Sequence, residues 1–129
     1  MVDLRRMRYL INRLPMAQFR RDKAMAKATK ITSVLTGMPR GGHGAGSQVE
    51  EGVILLELAS RALEEIETEL KAMREELGPV IEQMDPPLQK RAMWMRYMEG
   101  RSVREIAYAL NYSEQHIFRV LDRAELKIR

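Results

Sequence analysis

Apolar residues recur every three to four positions along most of the chain, so it reads as a succession of amphipathic helices. Leu4, Met7, Ile11 and Leu14 form the first stripe, with Arg5, Arg6, Arg8 and Arg13 mostly between them. Pro15 predicts a break, because proline disfavours helix at the residue before it. Phe19 and Met25 carry the pattern on, flanked by Arg20, Arg21, Lys23 and Lys27. Residues 37–46 read GMPRGGHGAG, half of them glycine, which predicts a linker.

A long helix is expected from Ser47 to Leu77. Ser47 and Glu50 have the spacing of a capping box, and Gly78-Pro79 supplies a stop signal. Val49, Gly52, Leu56, Ala59, Leu63, Ile66, Leu70, Met73 and Leu77 fall at heptad spacing. Val53, Ile54, Leu55 and Leu58 widen the apolar surface of the first half. That half is expected to pack within the protein, and the second half to suit a partner helix. Leu56, Leu63, Ile66, Leu70, Met73 and Leu77 are therefore candidates for dimerisation, with Glu69 and Arg74 placed to attract across a parallel pair. The alternative is a seam covered within the chain by the N-terminal helix.

Val80, Ile81 and Met84 predict a short leading helix. Asp85 suits an N-cap and Pro86 a first helical position, after which Leu88, Ala92, Met95 and Met98 share a face up to Gly100. Ser102 and Glu105 form a second capping box for a helix over 103–110, with Ile106, Ala107 and Leu110 inward. Asn111 and Tyr112 make a turn, since asparagine tolerates the left-handed conformation. Ser113 caps a last helix whose buried stripe is Ile117, Leu121 and Ala124, with Val120 and Ile128 beside it. The expected fold is all-α: a basic helical segment (1–36), a linker (37–46), a long helix (47–77) and a helix-turn-helix (78–129).

Charge sharpens this division. Residues 1–46 carry ten Lys/Arg against two Asp, residues 47–77 nine Glu against three Lys/Arg, and residues 78–129 nine Lys/Arg against seven Asp/Glu. A net charge of +4 is only mildly basic, so the blocks matter more than the total. The basic N-terminal block reads either as a phosphate-contacting arm or as a solvated helix face. With no cysteine there is neither a disulfide nor a thiolate metal site. No run of about 18 apolar residues suggests a membrane span, and no secretory leader is expected at the start.

Catalytic chemistry finds no support. Gly41 and Gly46 have the glycine spacing of a phosphate-binding loop, but Ser47 stands where the lysine belongs and no strand precedes. His43 and His116 lack partners at ligand spacing, and no carboxylate pair or nucleophile–base set emerges. No cofactor or metal is expected.

The last helix offers a better candidate. Glu114, Gln115, His116, Phe118 and Arg119 lie off its buried stripe, near the end of a helix that best reaches base edges. Glutamine suits adenine, arginine guanine, and glutamate can accept from cytosine. Phe118 would meet a thymine methyl or belong to the core. Lys90, Arg91, Arg101, Arg104, Arg123 and Lys127 are candidates for phosphate contact. The plainer alternative is a solvated polar face on a helical bundle.

The stretch DPPLQKRAMWMRYMEGRSVREIAYALNYSEQHIFRVLDRAELKIR resembles region 4 of bacterial sigma factors, which reads promoter DNA. The match rests on Arg96-Tyr97, Glu99-Gly100, Ser102, Glu105-Ile106-Ala107, Leu110, Ser113 and Ile117. Over nearly its full length the chain is similar to phage late transcription regulators of the ArpU/RinA type. Those also combine a basic N-terminal segment, a GMPRGG-like linker, a long helix and a turn like Tyr112-Ser113. The resemblance implies a phage or prophage regulator in the host cytoplasm, with Glu114, Gln115, His116, Phe118, Arg119 and Arg123 facing DNA. The chain departs from the sigma pattern at Glu114, Phe118 and Asp122, which dilute the basic charge. It also lacks a counterpart of the promoter-melting region, so a complete sigma factor is not expected. Double-stranded DNA and a second copy of the chain are the expected partners. RNA polymerase docking and a DNA-packaging recognition subunit remain open.

Overall fold

The computed structural model describes the backbone of residues 2–37 and 43–128, and the side chains of 2–30 and 49–128. Every regular element among the described residues is helical, as the periodicity predicts. Helix α1 runs Leu4–Gly37, α2 His43–Glu82, α3 Pro87–Met93, α4 Val103–Leu110 and α5 Glu114–Leu126. A π-helical segment, Trp94–Met98, continues α3. Asp3 starts α1: its carboxylate accepts from the Arg5 and Arg6 amides at 3.0 and 3.2 Å, satisfying donors that a helix start leaves open.

The chain divides into two units, Met1–Ile11 with Glu69–Arg129, and Asn12–Thr68. The first unit holds a continuous core. Met7, Leu10 and Ile11 are buried in it, as are Leu70, Leu77, Ile81 and Met84 of α2 and its continuation. Ala92, Met93, Tyr97, Val103, Ile106, Ala107, Ile117, Val120, Leu121, Ala124 and Ile128 complete it. Helix α5 packs against both α3 and α4. The unit thus draws on Met1–Ile11 and on the α2 residues from Glu69, beyond the span 78–129 that sequence suggested. In the second unit the apolar burial is confined to Leu63 among the described residues. There Asn12, Arg13, Met16, Ala17 and Arg20 share a hollow of about 300 Å³ with Ala59, Ala62 and Ile66.

Several boundaries differ from expectation. Pro15 and Pro79 lie inside α1 and α2 and end neither helix. Each removes one donor, but both are exposed, on the side where a helix axis has room to bend. Gly78 is no stop; it is buried, and Met98 Cε lies 3.5 Å from where its Cβ would stand. Helix α2 begins at His43, so Ser47 and Glu50 fall within it and do not cap its start. The linker reading holds for no more than residues 38–42, which lie outside the described residues, since 43–46 are helical.

Helix α3 also starts one residue late, with Pro86 at the N-cap position and Pro87 first; Asp85 gives no side-chain cap. Downstream, Glu99 N–H donates to Trp94 O at 3.1 Å and Arg101 N–H to Met95 O at 2.9 Å. These long-span bonds widen the helix and rotate the residues beyond them about its axis. The buried face is Gln89, Ala92, Met93 and Tyr97, not the expected Leu88, Ala92, Met95 and Met98, of which Leu88, Met95 and Met98 are half-buried.

Candidate nucleic-acid interface

The segment from Ser102 to Leu126 is built as its caps predict. Ser102 Oγ accepts from the Glu105 amide at 3.2 Å and donates to the Glu105 carboxylate at 3.1 Å. Helix α4 ends at Asn111, which holds φ 61° and ψ 46°. In that left-handed turn Tyr112 N–H donates to Ala107 O at 2.9 Å, closing one of the open carbonyls of the helix end. Ser113 then starts α5, accepting from the His116 amide at 3.2 Å.

This turn fixes which side of α5 faces outward. Ile117, Val120, Leu121 and Ala124 are buried, whereas Glu114, Gln115, Phe118, Arg119, Asp122 and Arg123 are exposed. Phe118, at 54% exposure, is no core residue. At 100° per residue the outward positions run from an acidic edge, Glu114 and Asp122, to a basic edge, Arg119 and Arg123. His116 differs from its neighbours: it is half-buried, and its ring stacks on Tyr112 with centroids 4.8 Å apart. One face of the imidazole is thus already covered by the turn.

The expected phosphate contacts separate into three groups. Lys90 and Arg91 on α3, Arg104 on α4 and Arg123 on α5 are exposed. Arg101 is paired with Glu99 at 2.9 Å, while Arg96 donates to the Arg101 carbonyl at 3.2 Å. Lys127 is a correction. Its ammonium donates to Asp85 O at 2.5 Å and to Gln89 Oε1 at 2.6 Å, which ties the end of α5 to the start of α3. The buried Gln89 requires such a donor, so Lys127 serves the fold.

The proposed dimer seam is a second correction. Leu63, Leu70 and Leu77 are buried in the single chain, and Leu56, Ile66 and Met73 are half-buried. Glu69 pairs with Arg6 of the same chain, at 2.9 and 3.1 Å, and Arg74 donates to Tyr97 O at 2.9 Å. Leu63, Leu70 and Leu77 are thus covered within the chain, Leu56, Ile66 and Met73 only partly so, and Val53, Ile54, Leu55 and Leu58, expected to be covered, are exposed.

Two features escaped sequence reasoning. Tyr108 is 91% exposed on α4, where with Arg101, Arg104, Glu105 and Ala109 it lines an open hollow of about 430 Å³. Its spacing of four from Arg104 is the signal that could have found it. The other is a polar cluster behind α5. Tyr97 donates to Glu125 at 2.5 Å, and Arg8 donates to Tyr97 Oη at 2.8 Å and to Glu125 at 3.2 Å. Burial, then the Glu125 carboxylate, pushes the Tyr97 phenol well above its ordinary value. Burial opposes the Arg8 charge, but Tyr97 and Glu125 outweigh it and raise the guanidinium. No short-range pattern joins residues 8, 97 and 125.

Among the described residues no group of three His, Cys, Asp or Glu could hold a metal ion, and no helix is long and apolar enough to cross a membrane. No family model matches the chain, and neither a curated protein nor a solved structure matches it.

Proposed function

We propose that the chain is a sequence-specific regulator of phage or prophage genes that binds double-stranded DNA and acts by binding, not catalysis. Helix α5 enters the major groove, Gln115 and Arg119 read base edges, and Glu114 and Phe118 flank them. Arg104, Arg123, Lys90 and Arg91 supply the salt-dependent attraction to phosphates. The observation that carries this reading is the one-sided exposure of α5. Its first two turns present Glu114, Gln115, Phe118 and Arg119, while Ile117, Val120, Leu121 and Ala124 anchor the other side. A capped helix on a left-handed turn, with its polar side outward, is what groove reading requires. The likeness of 85–129 to sigma region 4 supports the same choice.

A random-oligonucleotide selection with the full chain should return a defined motif. Arg119→Ala should then weaken binding to that motif by about 1–3 kcal/mol and leave nonspecific binding nearly unchanged. Equal losses on both would refute base reading by Arg119.

A second reading, docking on RNA polymerase, is favoured by the outward Tyr108 on α4. Capture of polymerase without DNA, together with no motif in the selection, would replace the first reading with the second.

A further inference from the structure

The segment Val53–Leu58 reads VILLEL, five of its six residues apolar. On a helix these positions spread around much of the axis. Gly52 and Leu56 face the buried side, but Val53, Ile54, Leu55 and Leu58 are each about half exposed, Ile54 at 54% and Leu58 at 57%. A helix apolar on several sides belongs inside an assembly of other helices. Among the described residues of Asn12–Thr68 there is little cover for it, Leu63 being the sole buried apolar side chain. Helix α1 leaves Met16 and Phe19 exposed as neighbours at i and i+3, with Lys23 set 5.8 Å from the Phe19 ring centre.

Charge decides what covers this surface. Residues 12–30 carry six Lys/Arg and one Asp, and residues 49–68 carry six Glu and one Arg. The two helical stretches of this unit are thus equal and opposite. A partner of one charge sign would be drawn to one helix and repelled by the other, which rules against a nucleic-acid strand here. A second copy of the same unit presents both signs, and a two-fold arrangement lets each contact occur twice.

We propose that the Asn12–Thr68 unit is an interface between two copies of this chain, with Ile54 and Leu58 at its centre. The basic stretch of α1 in one copy faces the acidic stretch of α2 in the other. This pairing does not rest on the DNA reading and uses none of its residues.

Sedimentation equilibrium of the full chain tests it. Dimers are expected at micromolar concentration, weakening as salt rises from roughly 0.05 to 0.5 M and screens the facing charges. Ile54→Glu with Leu58→Glu should weaken self-association about tenfold or more. Because both positions are exposed, helicity and the urea midpoint of the variant at low concentration should match those of the wild-type monomer. Arg20→Glu with Lys23→Glu and Lys27→Glu should also dissociate. So should Glu50→Lys with Glu57→Lys and Glu64→Lys, and mixing the two charge variants should restore a mixed dimer. A wild-type chain that stays monomeric at low salt overturns the proposal, as does a double variant that pairs as tightly as wild type. Failure of the mixture to pair overturns the α1-on-α2 arrangement. DNA binding by a monomeric double variant would show that the two readings stand or fall separately.

Discussion

In the first unit, Met7, Leu10 and Ile11 of α1 are buried along with Leu70, Leu77 and Ile81 of α2. In the second unit the same two helices turn several small residues to half-buried positions, Ala17, Ala24 and Ala28 on α1 and Ala59 and Ser60 on α2. Large apolar side chains there, Phe19, Ile54 and Leu58, are exposed instead. The seam along α2 keeps its spacing from Val49 to Leu77, but it is weak at Gly52 and Ala59, in the second unit, and strong from Leu63 on. The rest of the cover differs too. Among the described residues the first unit adds three short helices and a π-helical segment, and the second adds none. A spaced apolar row shows that a helix will bury one side; it does not say which chain provides the lid.

The contrast predicts unequal sensitivity to mutation. Leu70→Ala, at a site 1% exposed in the first unit, should cost about 2–5 kcal/mol of stability in urea unfolding. Leu58→Ala, measured at concentrations where the chain is monomeric, should change stability by no more than about 0.5 kcal/mol. Comparable losses at the two sites would erase the distinction between the units.

The polar cluster of the first unit gives a pH signature. The Tyr97 phenol is raised in the folded state by burial and Glu125, so the unfolded chain loses this proton first. Its contribution to stability is complete below pH of about 10. Above that it falls, by at most about 1.4 kcal/mol per pH unit, and is gone once the folded phenol ionises. Tyr97→Phe should therefore be less stable near neutrality by about 1 kcal/mol, from the lost hydrogen bonds, and should show a shallower alkaline decline. An unchanged decline would mean that Tyr97 does not hold its proton in the fold.

Smaller effects sharpen the comparison further. Ser113→Ala removes the cap of α5 and should cost about 1 kcal/mol, read as a lower urea midpoint. In the second unit the exposed Arg61–Glu57 pair spans four residues at 3.3 Å. Arg61→Ala should cost at most about 0.5 kcal/mol, a change that rising salt removes.

Local grammar carries the α4–α5 segment almost residue by residue. Ser102, Glu105, Asn111 and Ser113 act within four positions of themselves, so a string of letters contains their whole chemistry. The burial of Ile117, Leu121 and Ala124 follows from the same short range. The helix ends expected at Pro15 and Gly78-Pro79 are absent because propensity is weak against packing: both prolines sit in helices whose other sides are held. The π-helical segment gives no sign in composition, and the buried position there is Tyr97 and not Met95. Lys127 reads as a phosphate contact because the need of Gln89 for a donor arises only once α3 and α5 meet. Among base-reading candidates, exposure agrees with expectation at Glu114, Gln115, Phe118 and Arg119, and His116 is the exception because Tyr112 stacks on it.

The hydrogen bond from Arg8 to Glu125 joins positions 117 apart. A ribosome adds about 5–20 residues each second, so Met7, Leu10 and Ile11 must wait several seconds for the side chains that will shelter them. Through that interval α1 is an amphipathic strip with nowhere to dock, open to chaperones and to neighbouring nascent chains. Helix α5 is also the last of the five to emerge, and its arrival closes the unit. A nascent chain that stalls before Glu125 therefore has neither a sealed core nor a finished outer face.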